Sequence, residues 1–268
     1  MSRETSYAAP MDGFDLTDVT FEGKSYPVYR AGTGPGVIVV HEVPGITPPV
    51  ADFARRVVDS GFTVFMPSLF GTVGKPATTP YVLSSMLRAC VSKEFHCLAS
   101  GEASPITTWL RALARQAHEE LGGPGVGVVG MCLTGGFGLA MMVDDSVAAP
   151  VLSQPATPFP LGKGRQASLG LSDADLAAVK RRGAEGCQVL GLRFTSDSFV
   201  RRSRFEALSN LLGDNFVSVE IDSSKGNPHG IKRSAHSVLT EELVDEPGHP
   251  TRGALEEVLS FLDRRLKV

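Results

Sequence analysis

Apolar residues follow two rhythms along the chain. Short unbroken runs recur at 36–41, 62–66, 125–129, 147–152, 188–194 and 216–221. They lack the every-second-residue polarity of a half-exposed strand, so they predict strands covered on both faces, as in a parallel sheet. Between them the spacing lengthens to that of helices. Val50, Phe53, Ala54, Val57 and Val58 fall at helical intervals over 48–60, and Gly61 closes that helix. Two further helical stretches are expected, one reaching about Cys97 and one over 105–120 with Ser104 as N-cap and Gly122 and Gly123 as the stop. Ser172 caps the stretch DADLAAVKRRG, and helices are predicted at 199–212 and 253–266. Residues 17–30 read as a hairpin around a Glu-Gly-Lys turn, preceded by an irregular segment over 1–16. Strand, helix and strand in alternation predict a doubly wound, mostly parallel α/β sheet with right-handed crossovers. The hairpin would lie at one edge. No linker, repeat or large lid insertion interrupts the pattern, so residues 1–268 are expected to form a single domain.

Composition narrows the function more than the fold. With 42% hydrophobic and 21% charged residues, the chain has the make-up of a soluble globular protein. A net charge of −3 supplies no basic footprint for nucleic acid or an anionic membrane, so neither is expected as a partner. The first residues, MSRETSYAAPMDGFD, lack the apolar core of an export signal, which makes the cytoplasm the expected location. The four cysteines, at 90, 97, 132 and 187, form no C-x-x-C pair and suggest neither a zinc site nor a disulfide framework.

One stretch carries the chemistry. Residues 125–143, GVGVVGMCLTGGFGLAMMV, read as strand, sharp turn and helix, with Cys132 at the apex and glycines on both sides. This is the pattern of a nucleophile elbow, G-x-S-x-G. Cysteine replaces serine, and Thr134 stands where the last glycine is expected. Three other readings compete. An inert buried thiol is the ordinary state of a lone cysteine. A glycine-rich strand-to-helix turn can cradle phosphate, but no Gly-Lys-Ser/Thr closes this loop. The run is uncharged over a length that could span a bilayer, yet its six glycines and central turn argue for a buried strand and helix.

In open α/β sheets the chemistry lies beyond the carboxyl ends of the strands. Each expected strand exit carries a candidate. Glu42, Val43 and Pro44 follow 36–41, Cys132 follows the elbow strand, and Thr195, Ser196 and Asp197 follow 188–194. Asp222 and a loop with His229 and His236 follow 216–221. The order nucleophile, acid, histidine is that of α/β-hydrolases. Asp222 rivals Asp197 as the acid, and His229 and His249 rival His236 as the base. Asp144 and Asp145 read as charges at a helix end, and His41 as a support for its strand end.

The motifs G-M-C-L-T-G-G at 130–136, D-S-F-V at 197–200, A-H-S at 235–237 and H-E-V-P-G at 41–45 resemble the dienelactone hydrolase family, cysteine-dependent members of the α/β-hydrolase fold. The resemblance runs from about residue 17 to the C-terminus. It implies a triad of Cys132 as nucleophile, Asp197 as acid and His236 as base, acting on small esters or lactones through a thioester acyl-enzyme, with no cofactor and no metal. It also implies that Glu42 gates the thiol.

The physical roles stand beside the resemblance. An imidazole can take the thiol proton and later activate water, and a carboxylate on its other nitrogen fixes its tautomer. Backbone N–H groups of Leu133 and Val43 would receive the oxyanion, a role closed to Pro44, which has no donor. A carboxylate-bearing substrate, as in the family, calls for an arginine clamp, for which Arg88, Arg193, Arg201 and Arg202 are candidates. Two other functions compete with hydrolysis. One is small-molecule binding without turnover. The other is redox sensing through Cys132, with Cys187 as the thiol that could approach it.

Overall fold

The computed structural model describes residues 11–91, 105–156 and 167–268, with the backbone alone for 88–91. Eight strands form one sheet in the order β1-β2-β4-β3-β5-β6-β7-β8. β1 (Asp15–Phe21) and β2 (Lys24–Ala31) make the expected edge hairpin, and β2 runs antiparallel to β4 (Thr63–Pro67). From β4 onward every pairing is parallel, through β3 (Gly36–Val40), β5 (Val126–Met131), β6 (Val147–Ser153), β7 (Val189–Phe194) and β8 (Phe216–Ile221). This is the α/β-hydrolase fold expected from the strand-helix alternation.

The unbroken apolar runs are explained by cover on both faces. Within β3, Ile38 and Val40 enter one core and Val37 and Val39 the other. The first core is closed by α3 (Pro105–Leu121), α4 (Gly135–Met141), α5 (Asp173–Ala184) and α6 (Arg202–Leu212), through residues such as Leu110, Phe137, Val179 and Phe205. The second is closed by α1 (Pro48–Asp59) and α7 (Pro250–Leu266), through Phe53, Val57, Val258 and Phe261. α2 (Thr79–Val91) follows the loop after β4. The edge strand β8 is buried at its two ends and alternates partly exposed and exposed positions between them, as an edge covered less completely should. No helix among the described residues is long and apolar enough to cross a membrane.

Two helices begin elsewhere than the spacing predicts. α6 starts at Arg202 rather than at 199, because an Asp197 carboxylate oxygen accepts the Phe199 N–H at 2.8 Å and holds 197–200 as a turn. α7 starts at Pro250 rather than at 253. The His249 ring accepts the Thr251 N–H at 3.3 Å, and proline fits the first helical position. The expected helix end at Cys97 and the Ser104 N-cap lie outside the described residues.

The topology fixes where chemistry can occur. The chain moves outward from β3 to β4, then returns to place β5 on the other side of β3. At such a switch point the two following loops diverge and leave a crevice outside the carboxyl ends. Val40 is in register with Gly130, and Gly130 with Leu152. The exits carrying Glu42, Cys132 and Gln154 are therefore neighbours on one rim.

Candidate active site

The elbow is built from close approaches. Cys132 follows β5 with φ of +56°, a left-handed conformation that costs a residue bearing a Cβ about 1–3 kcal/mol. A helical turn, Cys132–Thr134, leads into α4. A Cβ on Gly130 would meet the Thr134 carbonyl oxygen at 2.5 Å, and one on Gly135 would meet the Cα of Pro155 at 2.7 Å. Gly135 thus supplies the close packing expected of the motif's last glycine, one position later. Thr134 itself has φ of −82° and needs no glycine. Its buried hydroxyl accepts the Met131 N–H at 3.0 Å and lies 2.9 Å from the carbonyl oxygen of Val40. It therefore ties the end of β3 to the elbow, a role a glycine could not fill.

Asp197 and His236 meet beside the elbow. His236 Nδ1 is 2.6 Å from Asp197 Oδ2, and the other oxygen of this buried carboxylate is held by Phe199 N–H. The Phe199 ring packs edge-on against His236 at 5.5 Å. Burial works against the imidazolium. The negative charge of Cys132, the hydrogen bonds to Asp197 and Cys132, and the Asp197 charge outweigh it and hold His236 well above the ordinary histidine range. Cys132, His236 and Asp197 thus form one connected set.

The rivals are engaged elsewhere. Asp222 is exposed, accepts the Ser224 N–H at 2.8 Å and, through that bond, lies below the usual carboxylate range. Its further contacts are with the Ser224 and Thr195 hydroxyls rather than a histidine. His229 packs edge-on against His249 at 5.4 Å, while His249 caps α7. Asp144 is more than a surface charge. It binds the Ser146 hydroxyl and the Arg115 guanidinium, which lower its affinity for a proton against the opposing effect of burial. Cys187 hydrogen-bonds toward the carbonyls of Val147 and Ala148, where β6 begins. Cys132 stands level with the strand's far end, about 20 Å away at the rise of a strand. Burial raises the Cys187 thiol further out of the reactive range.

Glu42 lies in the crevice, 3% exposed, with both carboxylate oxygens occupied. Ser237 Oγ donates to Oε2 at 2.7 Å, Gln154 Nε2 donates to the same oxygen at 3.1 Å, and Thr240 Oγ1 donates to Oε1. Among the described residues these are its side-chain hydrogen bonds, and none goes to Cys132. Burial and then the Glu42 charge raise Glu241, and both effects act on Glu242, which also accepts the Ser237 N–H at 2.7 Å. Val43 and Leu133, the expected oxyanion donors, follow Glu42 and Cys132 on these adjoining exits.

Gln154, Ser237 and Thr240 were not anticipated from the sequence. Gln154 follows β6, adopts φ of +35° and is fully buried, and its Oε1 accepts the Val238 N–H at 3.3 Å. The strand-exit rule points to it as it does to Cys132. An amide, however, is neither acid, base nor nucleophile and carries no chemical signal. His41 supports its strand end as expected. Nε2 accepts the Leu69 N–H at 3.1 Å, so the proton resides on Nδ1, 3.0 Å from the Glu42 carbonyl oxygen. Burial lowers its pKa to about 4.

Of the arginines, Arg193 is buried and its guanidinium is paired with Glu220. Arg201 and Arg202 border a cavity at the β7 exit, and the Arg88 side chain lies outside the described residues. No group of three or more His, Cys, Asp or Glu side chains among the described residues is arranged to hold a metal ion.

Comparison with known proteins agrees with this architecture. The model of the dienelactone hydrolase family matches residues 24–265. A search of curated proteins finds no match. Among solved structures, a Klebsiella pneumoniae subsp. pneumoniae protein assigned as a dienelactone hydrolase superposes with a TM-score of 0.63 at 16% identity, covering 94% of this chain and 98% of its own. A dienelactone hydrolase-like promiscuous phosphotriesterase from metagenomic libraries gives 0.58 at 15% identity, covering 94% and 98%. A cold-adapted esterase from an Arctic intertidal metagenomic library gives 0.55 at 13%, covering 92% of each chain.

Two outcomes follow from the site's construction. Thr134→Val leaves the Met131 N–H without its acceptor and should cost about 1–3 kcal/mol in urea unfolding, whereas Thr134→Ser should retain most of that stability. Equal losses for both variants would refute the tie. His41 has a folded pKa below its unfolded one, so the unfolded state binds more protons between pH 6.5 and about 4. Stability should fall as pH drops through that window, with a slope approaching about 1.4 kcal/mol per pH unit. His41→Gln should remove this component from the difference between the two unfolding profiles.

Proposed function

The chain belongs to the dienelactone hydrolase family, and from that premise we propose that it hydrolyses small esters or lactones with Cys132, His236 and Asp197 as its triad. One observation carries the reading. A cysteine on a left-handed elbow is linked to a partly buried histidine whose proton affinity it raises, and that histidine is oriented at 2.6 Å by a buried aspartate.

The chemistry follows from those contacts. His236 holds a proton in the resting pair, leaving the Cys132 sulfur as the attacking group. Attack on the substrate carbonyl generates an oxyanion, received by the N–H groups of Leu133 and Val43. Collapse of this intermediate expels the alcohol portion, which takes its proton from His236, and leaves a thioester. His236, now neutral, accepts a proton from water as that water attacks the thioester. The acid product leaves and the thiol–imidazole pair is restored. Asp197 keeps the other ring proton on Nδ1 throughout, so Nε2 faces the reacting atoms. A thiolate leaves more readily than an alkoxide, which suits activated esters and strained lactones better than amides.

Glu42 enters this scheme as the group that gates the thiol. Its charge is held by Ser237, the residue after His236, together with Thr240 and Gln154. Gating requires the carboxylate to exchange those partners for the sulfur when substrate enters. Redox sensing finds less support, since Cys187 lies at the opposite end of β6.

Turnover of a short activated aryl ester and of a dienelactone is the direct test. The wild type should hydrolyse at least one of them, and Cys132→Ala and His236→Ala should lose at least about 10³-fold in kcat/KM. Equal rates in wild type and Cys132→Ala would eliminate the triad. Glu42→Gln should change the pH profile of Cys132 alkylation, followed by mass mapping of the modified peptide; an unaltered profile would remove Glu42 from the thiol system.

A further inference from the structure

A cavity of about 590 Å³ opens at the exit of β7, on the same rim of the sheet as Cys132. Arg193, Ser196, Ser198, Arg201, Arg202 and Ser203 line it, and its content is nearly all hydrogen-bond donors. Among the described residues, the hydroxyls of Ser196, Ser198 and Ser203 make no hydrogen bond and the Arg201 guanidinium has no partner. Arg202 is 3.0 Å from Glu206 on the exposed side of α6.

Two further features add positive potential. α6 is eleven residues long, begins at this cavity and has neither a side-chain cap nor an acid in its first turn. The Arg204 N–H turns back to the Arg201 carbonyl at 3.0 Å, while the N–H groups ahead of it and the positive end of the dipole meet no side-chain cap and no acid. Arg193, only 2% exposed, also lines the cavity. Its outer nitrogens are used by Glu220 and by the Val200 carbonyl at 3.1 Å, but its Nε–H is buried without a partner. A buried donor left unpaired costs about 1–3 kcal/mol, a cost that an anion in the adjoining cavity would lessen through its charge.

The cavity's one acid does not offset these donors. Asp197 already gives one oxygen to His236 and the other to Phe199 N–H. A planar carboxylate would satisfy two donor directions. A phosphate monoester offers three acceptor oxygens and a charge near −2, a closer match to an arginine fork, three hydroxyls and a helix N-terminus. Position supplies the rest. The cavity is two strands along from the elbow, which places it about 10 Å from Cys132 at the spacing of adjacent strands.

We propose that this cavity is a subsite for a phosphate-monoester group carried by the substrate, so that the ester attacked at Cys132 bears a phosphate some 10 Å from its carbonyl carbon. The proposal rests on the ester-hydrolase reading for the thiol, and on the cavity alone for the anion.

Two measurements on the full chain test it separately. In calorimetric titration, inorganic phosphate should bind saturably at one site, at least tenfold more tightly than acetate, and Arg201→Gln should weaken it at least tenfold. Ser203→Ala should weaken it in the same direction. In turnover, 2-(4-acetoxyphenyl)ethyl phosphate, whose phosphate can stand at that separation from the carbonyl carbon, should exceed 4-ethylphenyl acetate in kcat/KM by at least tenfold, mainly through KM, and Arg201→Gln should erase that preference. Absence of phosphate binding, binding indifferent to both substitutions, or acetate bound as tightly as phosphate overturns the anion site whether or not the esters are hydrolysed. Phosphate binding without preference for the phosphorylated ester overturns its assignment to the substrate. Arg201-dependent phosphate binding with both esters inert upholds the anion site and removes the hydrolase reading.

Discussion

The hydroxyl of Thr134 connects the two halves of the rim on which everything else is mounted. It answers the Met131 amide at the end of β5 and reaches the Val40 carbonyl at the end of β3. Strand exits at a topological switch point diverge by construction, since the loops leave in opposite directions. A tie between them turns a crevice into a surface with fixed separations. The Glu42 loop and the Cys132 turn can then present groups to one another without a rigid element between them. Pro155, packed against Gly135, and the Ala156 N–H bonded to the Cys132 carbonyl at 2.9 Å brace the elbow from the β6 side.

On that rim the charges are segregated. Asp197 and the Cys132 sulfur act on His236 from two directions and keep its proton in place. Glu42, with Glu241 and Glu242 near it, makes a second acidic group, in which hydroxyl and amide donors hold Glu42 and the His236 charge acts on Glu242. Ser237 joins the two groups, because its neighbour in the chain is His236 and its hydroxyl belongs to Glu42. A change of charge at Glu42 would therefore reach the imidazole through one peptide unit, without passing through the core.

Legibility in the sequence tracked the kind of signal each residue carries. The unbroken apolar runs made the parallel sheet readable, because cover on both faces removes polar alternation. Cys132, Asp197 and His236 were readable because chemically distinctive side chains stood at strand exits in a recognisable order. Residues acting through hydrogen bonds were not. Gln154, Ser237 and Thr240 resemble ordinary loop polar residues until the fold brings a buried carboxylate to them. The start of α6 was misjudged for a related reason, since helical spacing at 199–212 cannot reveal that Asp197 takes the Phe199 amide. Arg193 stood among four candidate clamps, and only the pairing of β7 with β8 reveals that Glu220 engages its guanidinium.

The left-handed backbone at Cys132 has an evolutionary consequence. Under the proposed triad, selection for a stable fold and selection for a nucleophile pull in opposite directions at that codon. Glycine would relieve the elbow's strain while discarding the sulfur. A lineage under purifying selection for turnover must keep rejecting a substitution that benefits the fold. A duplicated copy freed from that demand would have an energetic slope to descend at residue 132, and loss of the thiol there would be an early mark of such release.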